Sequence, residues 1–492
     1  MAEEQKRYVI LERIQARLTG WLEIVQVKLR SNRTKDLFLL TLPYQVAAMI
    51  TALVAVGYAW LFKQMEGFNL WLIDKDPYLI FAAAPVCFVL SWWLVKKYSP
   101  MASGSGIPQL MAAIEVANEK KEDRSWRFLN LRIIIVKVLS SMAMVLGGGA
   151  IGREGPTLQI AGSVYRIVHK LLPPFWPKVS RRVMMITGGA AGLSAAFNTP
   201  LGGIVFAVEE LTKTHIAQFR TAVLTAVIIS GMTAQWVLGP YLFLGYPSVS
   251  TVGFSFMYKV MVIAVVAGAL GALSCRILLI TDRLRRGMSS VLGQGTFVFC
   301  LGLLFAGCVT MLGTAALGSG KHTLETYLFD PVIDPTAKAI AARFFGNILS
   351  FSAGGAGGIF APALSTGATI GGYIGQWFNP TRSEHNLLIL AGMTAFLTGV
   401  SRSPFTSAIL VLEMTDRHSV IFQLMYAASF GYLIAMAIDR KSYYERMKIR
   451  LLQALPIEDR PPPEPPPPTP QRGNRFGKKQ DEEEPPSSGF GL

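Results

Sequence analysis

Charge is scarce in this chain. Asp, Glu, Lys and Arg make up 16% of its 492 residues, against about 25% in an average soluble domain, which excludes an ordinary solvated enzyme surface. Cysteine is scarcer still. Cys87, Cys275, Cys300 and Cys308 all lie in apolar surroundings with no CxxC spacing, so buried thiols are expected rather than a redox or metal centre. The five histidines are scattered and form no ligand cluster. No GxSxG nucleophile elbow is present. The stretch GSGKHT, from Gly318, fails the phosphate-loop pattern because His322 stands where Ser or Thr should follow the lysine. Hydrolase chemistry is thereby disfavoured, and neither a metal nor a cofactor is expected.

What the chain has is apolar surface, 51% of residues with a mean hydropathy of +0.39. Runs such as LPYQVAAMITALVAVGYAWLF and YKVMVIAVVAGALGALSC approach or reach the roughly 20 residues a spanning helix needs. The chain reads as an all-α, polytopic membrane protein. Its net charge of +16 is then a cytoplasmic rim, by the preference of Lys and Arg for the inner face, and not a nucleic-acid surface. Residues 1–35 read as a basic amphipathic helix rather than a cleaved leader. The segment DRKSYYERMKIR, ending at Arg450, is equally basic, so both termini are expected inside, with an even number of crossings. Residues 453–492, dominated by proline and charge, cannot build a core.

Two distant pieces of the chain resemble each other. Gly152 precedes Pro156 by four residues and Pro200 precedes Glu209 by nine, while Gly358 precedes Pro362 by four and Pro404 precedes Glu413 by nine. The two prolines of each set lie 44 and 42 residues apart. A duplication follows, with repeats of about 36–240 and 250–452. In transporters such repeats are often inverted, with the substrate site at their shared interface.

Three stretches share one form. GSGIPQLMAAIEV from Gly104, GREGPTLQIAG from Gly152 and GGIFAPALSTG from Gly357 each place glycines before a proline that opens an apolar helical run. Proline is tolerated in the first helical turn, so each is a helix N-terminus. Broken helices at membrane depth are tolerable only around protein or a water-filled cavity. Three N-termini meeting there would aim unpaired N–H groups at one point, which makes an anion site. Glycine packing between helices is the plainer alternative, but it explains neither the threefold occurrence nor the Arg153-Glu154 pair inside one motif. An ion pair between those two neighbours is disfavoured, because adjacent helical residues do not face each other.

GSGIP, GREGP and GGIFAP, followed by FNTPLGGIVFAVEE, SRSPFTSAILVLEMTD and the late tyrosine of KSYYERM, closely resemble in order the signature motifs of the CLC family of chloride channels and proton/chloride exchangers. The resemblance spans about residues 36–452. It implies a central chloride held by the Ser105 hydroxyl, the N–H groups of Ile359 and Phe360, and a tyrosine hydroxyl, with Tyr444 the better match and Tyr443 left open. It implies further that Gly106 serves an inner site, that Arg153 and Gly155 serve an outer one, and that Glu154 is the gate. A carboxylate is itself an anion and fits the same N–H cradle as chloride.

The same resemblance makes Glu210 the intracellular proton-transfer glutamate, a position usually apolar in the channels, so exchange is expected over passive conduction. Glu209 is expected to line that route, and Glu413, its repeat counterpart, to be structural. Serine at position 105, where nitrate-preferring plant members carry proline, points to chloride. A homodimer with one pore per subunit is implied, in a prokaryotic-type plasma membrane, with the helices after Pro200 and Pro404 as its interface. The regulatory nucleotide-binding modules of large eukaryotic members have no counterpart in the proline-rich segment. The acidic residues that some prokaryotic members carry after GSGIP are replaced here by Gln109 and Met111.

Overall fold

The computed structural model describes residues 33–117, 122–212, 220–239, 242–249, 252–330 and 335–461. The expectations for residues 1–32 and for the proline-rich segment beyond 461 lie outside these. Among the described residues there are seventeen α-helices, no strands and two isolated bridges.

Sixteen of the helices form two matched series of eight. The first is α1 (Arg33–Lys75), α2 (Ile80–Tyr98), α3 (Ile107–Val116), α4 (Leu131–Leu146), α5 (Glu154–Leu171), α6 (Arg181–Phe197), α7 (Pro200–Phe206, prolonged by a π turn over Ala207–Thr212) and α8 (Arg220–Leu238). The second is α9 (Met257–Gly287), α10 (Val291–Leu312), α11 (Lys321–Phe329), α12 (Ala337–Ser352), α13 (Phe360–Gln376), α14 (Arg382–Ser401), α15 (Pro404–Thr415) and α16 (Ile421–Ile438). Lengths agree closely in several pairs: α3 and α11 have 10 and 9 residues, α4 and α12 have 16 each, α5 and α13 have 18 and 17. Neighbours agree too, since α5 packs on α6 as α13 does on α14, and α1 on α8 as α9 does on α16. A last helix, α17 (Tyr443–Gln453), has no counterpart. The boundary expected at residues 35 and 36 falls inside α1, whose described part runs from Arg33 through Pro43 to Lys75.

The local signals act as the sequence suggests. Pro108, Pro200 and Pro404 sit in the first turns of α3, α7 and α15, where no N–H is needed. Equivalent breaks precede α7 and α15: Asn198 and Arg402 adopt left-handed φ values of 57° and 65° and end α6 and α14, and a proline restarts the helix two residues later. Among the described residues, seven segments, centred on α1, α2, α4, α8, α9, α10 and α16, are long and apolar enough to cross a membrane. The short α3, α7, α11 and α15 and the glycine-rich α5, α6, α13 and α14 pack among them. Met184–Phe197 of α6 and His385–Ser401 of α14 are buried throughout.

The expectation of four buried thiols needs correction. Cys87 and Cys275 are buried, Cys308 is half-buried and Cys300 is exposed. An apolar neighbourhood in sequence is satisfied equally by lipid, and Cys300 lies on the outer face of α10.

Candidate functional site

The three glycine-proline motifs converge and hydrogen-bond to one another. Gly152 donates its N–H to Gly358 O at 2.8 Å, and Gly358 returns one to Gly152 O at 2.7 Å. This reciprocal pair joins equivalent residues of the two series, as a local two-fold axis through that point requires. The turn before α3 joins the same loop, with Gly104 N to Gly355 O at 2.8 Å and Gly357 N to Gly104 O at 3.1 Å. The N-termini of α3, α5 and α13 are thereby fixed around one small volume, and the first N–H groups of each helix have no intrahelical acceptor.

Into this volume point three polar atoms without hydrogen-bond partners: Ser105 Oγ, Tyr444 Oη and Glu154 Oε2. Ser105, Glu154 and Tyr444 are 2%, 1% and 0% exposed. The tyrosine hydroxyl lies beside that of Ser105, and its ring stacks on Phe360 at 6.1 Å and 20°. Tyr443 packs instead against Phe351 and lines, with Ser105, the cavity that leads toward Asp282 and Arg285. Orphaned buried hydroxyls are rare and call for an explanation; a bound anion supplies one. Gly155 is required here, because a Cβ at that position would run into Ser105 Oγ. Its absence lets the start of α5 approach the serine. The Glu154 carboxylate lies within reach of its own N–H and that of Ala361, on the N-terminus of α13. It occupies the kind of cradle an anion would.

Two cavities lead away from this centre. One of about 160 Å³ runs from Ser105 to Asp282, Arg285, Arg286 and Arg450. Asp282 receives all three guanidinium groups, those of Arg285 and Arg286 at 2.8 and 2.9 Å. The other, of about 570 Å³, reaches Arg153 and Glu154 past Lys63, Glu66, Lys321 and His322. The helix α17, which carries Tyr444, is anchored by Asp439, whose carboxylate takes two hydrogen bonds from Arg446 and one from Lys441 N. Burial alone would raise the Asp439 pKa, but these partners hold it below the usual range.

Glu210 accepts a hydrogen bond from Ser403 Oγ at 2.7 Å, across the two series, and lies close enough for its charge to act on Tyr444. Its neighbour Glu209, expected to line the same route, is hydrogen-bonded to the segment that follows Ser403. The Glu209 carboxylate accepts from Phe405 N, Thr406 N and Thr406 Oγ1 at 3.2, 2.7 and 2.7 Å, at the start of α15. Glu413 does the same in reverse, accepting from Leu201 N and Gly202 N at 3.0 and 2.8 Å, at the start of α7. Each acid caps the other series' helix. The π turn over Ala207–Thr212 lets the consecutive Glu209 and Glu210 both reach the Ser403–Thr406 segment, an arrangement in keeping with the association of π turns with functional sites.

Two buried cations escaped the sequence reading. Lys137 and Arg343 are both 0% exposed, and each interrupts an apolar helical run, the signal that marks intramembrane ionisable groups as functional candidates.

The family model described as "Voltage gated chloride channel" matches residues 87–436. A curated relative, the H(+)/Cl(-) exchange transporter ClcA of Citrobacter koseri, is 29% identical over 460 residues, covering 87% of this chain and 92% of its own. Among solved structures, a slow cyanobacterial Cl-/H+ antiporter superposes with a TM-score of 0.73 at 22% identity, covering 85% of this chain and 98% of that one. A CLC-type fluoride/proton antiporter gives 0.70 at 18%, covering 84% and 98%. With the family model spanning well over half its length, the chain belongs to the voltage-gated chloride channel, or CLC, family.

Proposed function

We propose that this chain exchanges chloride for protons across a membrane, with Glu154 as outer gate and proton acceptor and Glu210 as inner proton-transfer residue. The observation that carries the reading is the meeting of two orphaned hydroxyls and an orphaned carboxylate oxygen at three helix N-termini. Ser105 and Tyr444 each offer one O–H donor. With the N–H groups of Ile359 and Phe360 they form a cradle for a spherical halide. Backbone at Gly106 would serve an anion nearer the arginine-lined cavity, and backbone at Arg153 and Gly155 one nearer the opposite mouth.

The step follows from what Glu154 touches. Ionised, its carboxylate competes with chloride for N–H groups at the starts of α5 and α13. Protonation removes the charge, weakens those hydrogen bonds, and frees the cradle for the anion. The proton is then carried between Glu154 and Glu210, on the Ser403 side of Tyr444. Glu209 we assign to capping α15, since its carboxylate is engaged by three donors. A carboxylate at Glu210 favours exchange over a passive channel, whose mechanism gives it no task. The relative's name supports the same reading.

The sidedness rests on charge. Arg283, Arg285 and Arg286 end α9, and Arg446, Lys448 and Arg450 stud α17. Arg124 and Arg127 pair with Asp459 at 2.8 and 2.9 Å, which brings the loop before α4 to the same face. This is the cytoplasmic face by the positive-inside rule, with both termini on it and the protein in a prokaryotic plasma membrane. A homodimer through α7 and α15 is supported by Leu201 and Phe405, exposed on helices too short to cross alone. The membrane domain is assigned to about residues 36–452, flanked by the basic N-terminal and proline-rich C-terminal segments.

The test is Glu210→Gln in proteoliposomes. Chloride flux should persist, slower, and keep its dependence on external pH, while chloride-driven proton pumping is lost. Continued uphill pumping would place the inner proton route elsewhere.

A further inference from the structure

The GSGKHT stretch, unexplained as a phosphate loop, is the structural counterpart of GSGIPQ. Gly104 and Gly106 have φ of 65° and 102°, and Gly318 and Gly320 have φ of 56° and 82°, values that favour glycine. Each turn opens a short helix, α3 or α11. The first glycine of each donates to a glycine of the other series' central loop, Gly104 N to Gly355 O and Gly318 N to Gly148 O at 2.8 and 3.0 Å.

A buried cation lies under each turn. Lys137, the seventh residue of α4, donates to Ala102 O and Gly104 O at 3.0 and 2.7 Å. Arg343, the seventh of α12, donates to Leu317 O and Gly318 O at 2.9 and 3.2 Å. Its Nε is buried with no acceptor, and its guanidinium lies so close to Gly320 that a Cβ there would collide with it. This places a full positive charge beneath the second turn.

The two turns differ in what faces them. Ser105 presents an orphaned hydroxyl to the central volume. At the second turn an anion is already seated: the Glu66 carboxylate, reaching from α1, accepts from Ser319 N at 2.7 Å. The turn opens on a cavity of about 330 Å³. Glu66, Ser319, Lys321 and His322 also line the adjoining vestibule that reaches Glu154.

We propose that the Gly318-Ser319-Gly320 turn is a second anion-binding site, at the outer mouth, that takes chloride or another halide, with Glu66 as its built-in competitor. The inference rests on reading the Ser105 turn as the central chloride site. By the same chemistry, one N–H of a glycine-flanked serine turn, backed by a buried cation, donates to either a tethered carboxylate or a free halide. Glu66 stands to this turn as Glu154 stands to the central cradle. An anion held here is staged one step outside the gate.

The test combines diffraction and binding on the full chain. In Glu66→Gln protein equilibrated with bromide, anomalous density is expected against Ser319 N, and little or none in the wild type. Glu66→Asp, which keeps the charge but shortens the reach, should show the same peak and serves if the glutamine variant does not fold. Calorimetric chloride titration should show one more binding event in the variants. If the carboxylate fills the turn about nine-tenths of the time, freeing it tightens apparent affinity there by about tenfold. Absence of bromide at Ser319 in a folded variant at saturating bromide overturns the proposal, whether or not the protein transports. Bromide at Ser319 but none at Ser105 would instead count against the central site, and so against the functional reading on which this one rests.

Discussion

On the proposed reading, Glu154 and Ser105 carry the chemistry at the scale of single residues, and they make separable predictions. Glutamine at position 154 has the shape of a protonated glutamate and cannot ionise, so the competitor for the α5 and α13 N-termini is permanently neutral. Chloride flux in Glu154→Gln should continue, proton coupling should vanish, and the dependence of flux on external pH should flatten; proton uptake driven by chloride in this variant would contradict the assignment. Ser105→Pro deletes one hydroxyl donor at the cradle. Specificity is a difference of two affinities, and loss of one hydrogen bond to an ion is worth about 1.5–3 kcal/mol. The ratio of nitrate to chloride permeation should therefore rise about tenfold or more. An unchanged ratio would mean that the orphaned Ser105 Oγ is not turned toward the anion. Much at this scale was legible in the sequence, because glycine and proline are demanded by local backbone geometry. The resemblance favoured Tyr444 and left Tyr443 open; the stacking of the Tyr444 ring on Phe360, which no local pattern announces, supports the first.

Helix pairing across the two series is what the sequence concealed. Glu209 and Glu413 each find their partners about 200 residues away, and nothing local says that an acid in an apolar run caps another helix rather than moving a proton. The roles of Lys137 and Arg343, visible only as charges in apolar helices, were hidden at shorter range, since each bonds carbonyls of its own series 25–35 residues back. A cap of two or more backbone N–H groups on a half-buried carboxylate should stabilise by about 1–3 kcal/mol. Glu413→Ala should therefore lower the thermal unfolding midpoint in detergent by several degrees, and Glu209→Ala should lower it comparably. If Glu209→Ala leaves the midpoint untouched but abolishes proton movement, Glu209 is a proton station and its hydrogen bonds to α15 are incidental.

At the scale of the whole molecule, two series of eight helices place three N-termini and two acids around a two-fold axis. One cavity opens toward a basic face and another toward a vestibule that mixes both signs of charge. The class of the fold and the existence of the repeats could be read from composition and from motif spacing. Burial could not, as exposed Cys300 shows, because lipid and protein are equally apolar. The claim that binds the scales together is that one anion site and two carboxylates couple opposed fluxes. Reversal potential under crossed chloride and proton gradients tests it most directly. If the account is right, the potential at which current vanishes is displaced from the chloride equilibrium value when only the proton gradient is changed, and Glu210→Gln returns it to that value. A wild-type potential that follows chloride alone, at every proton gradient, would show a channel and contradict the account.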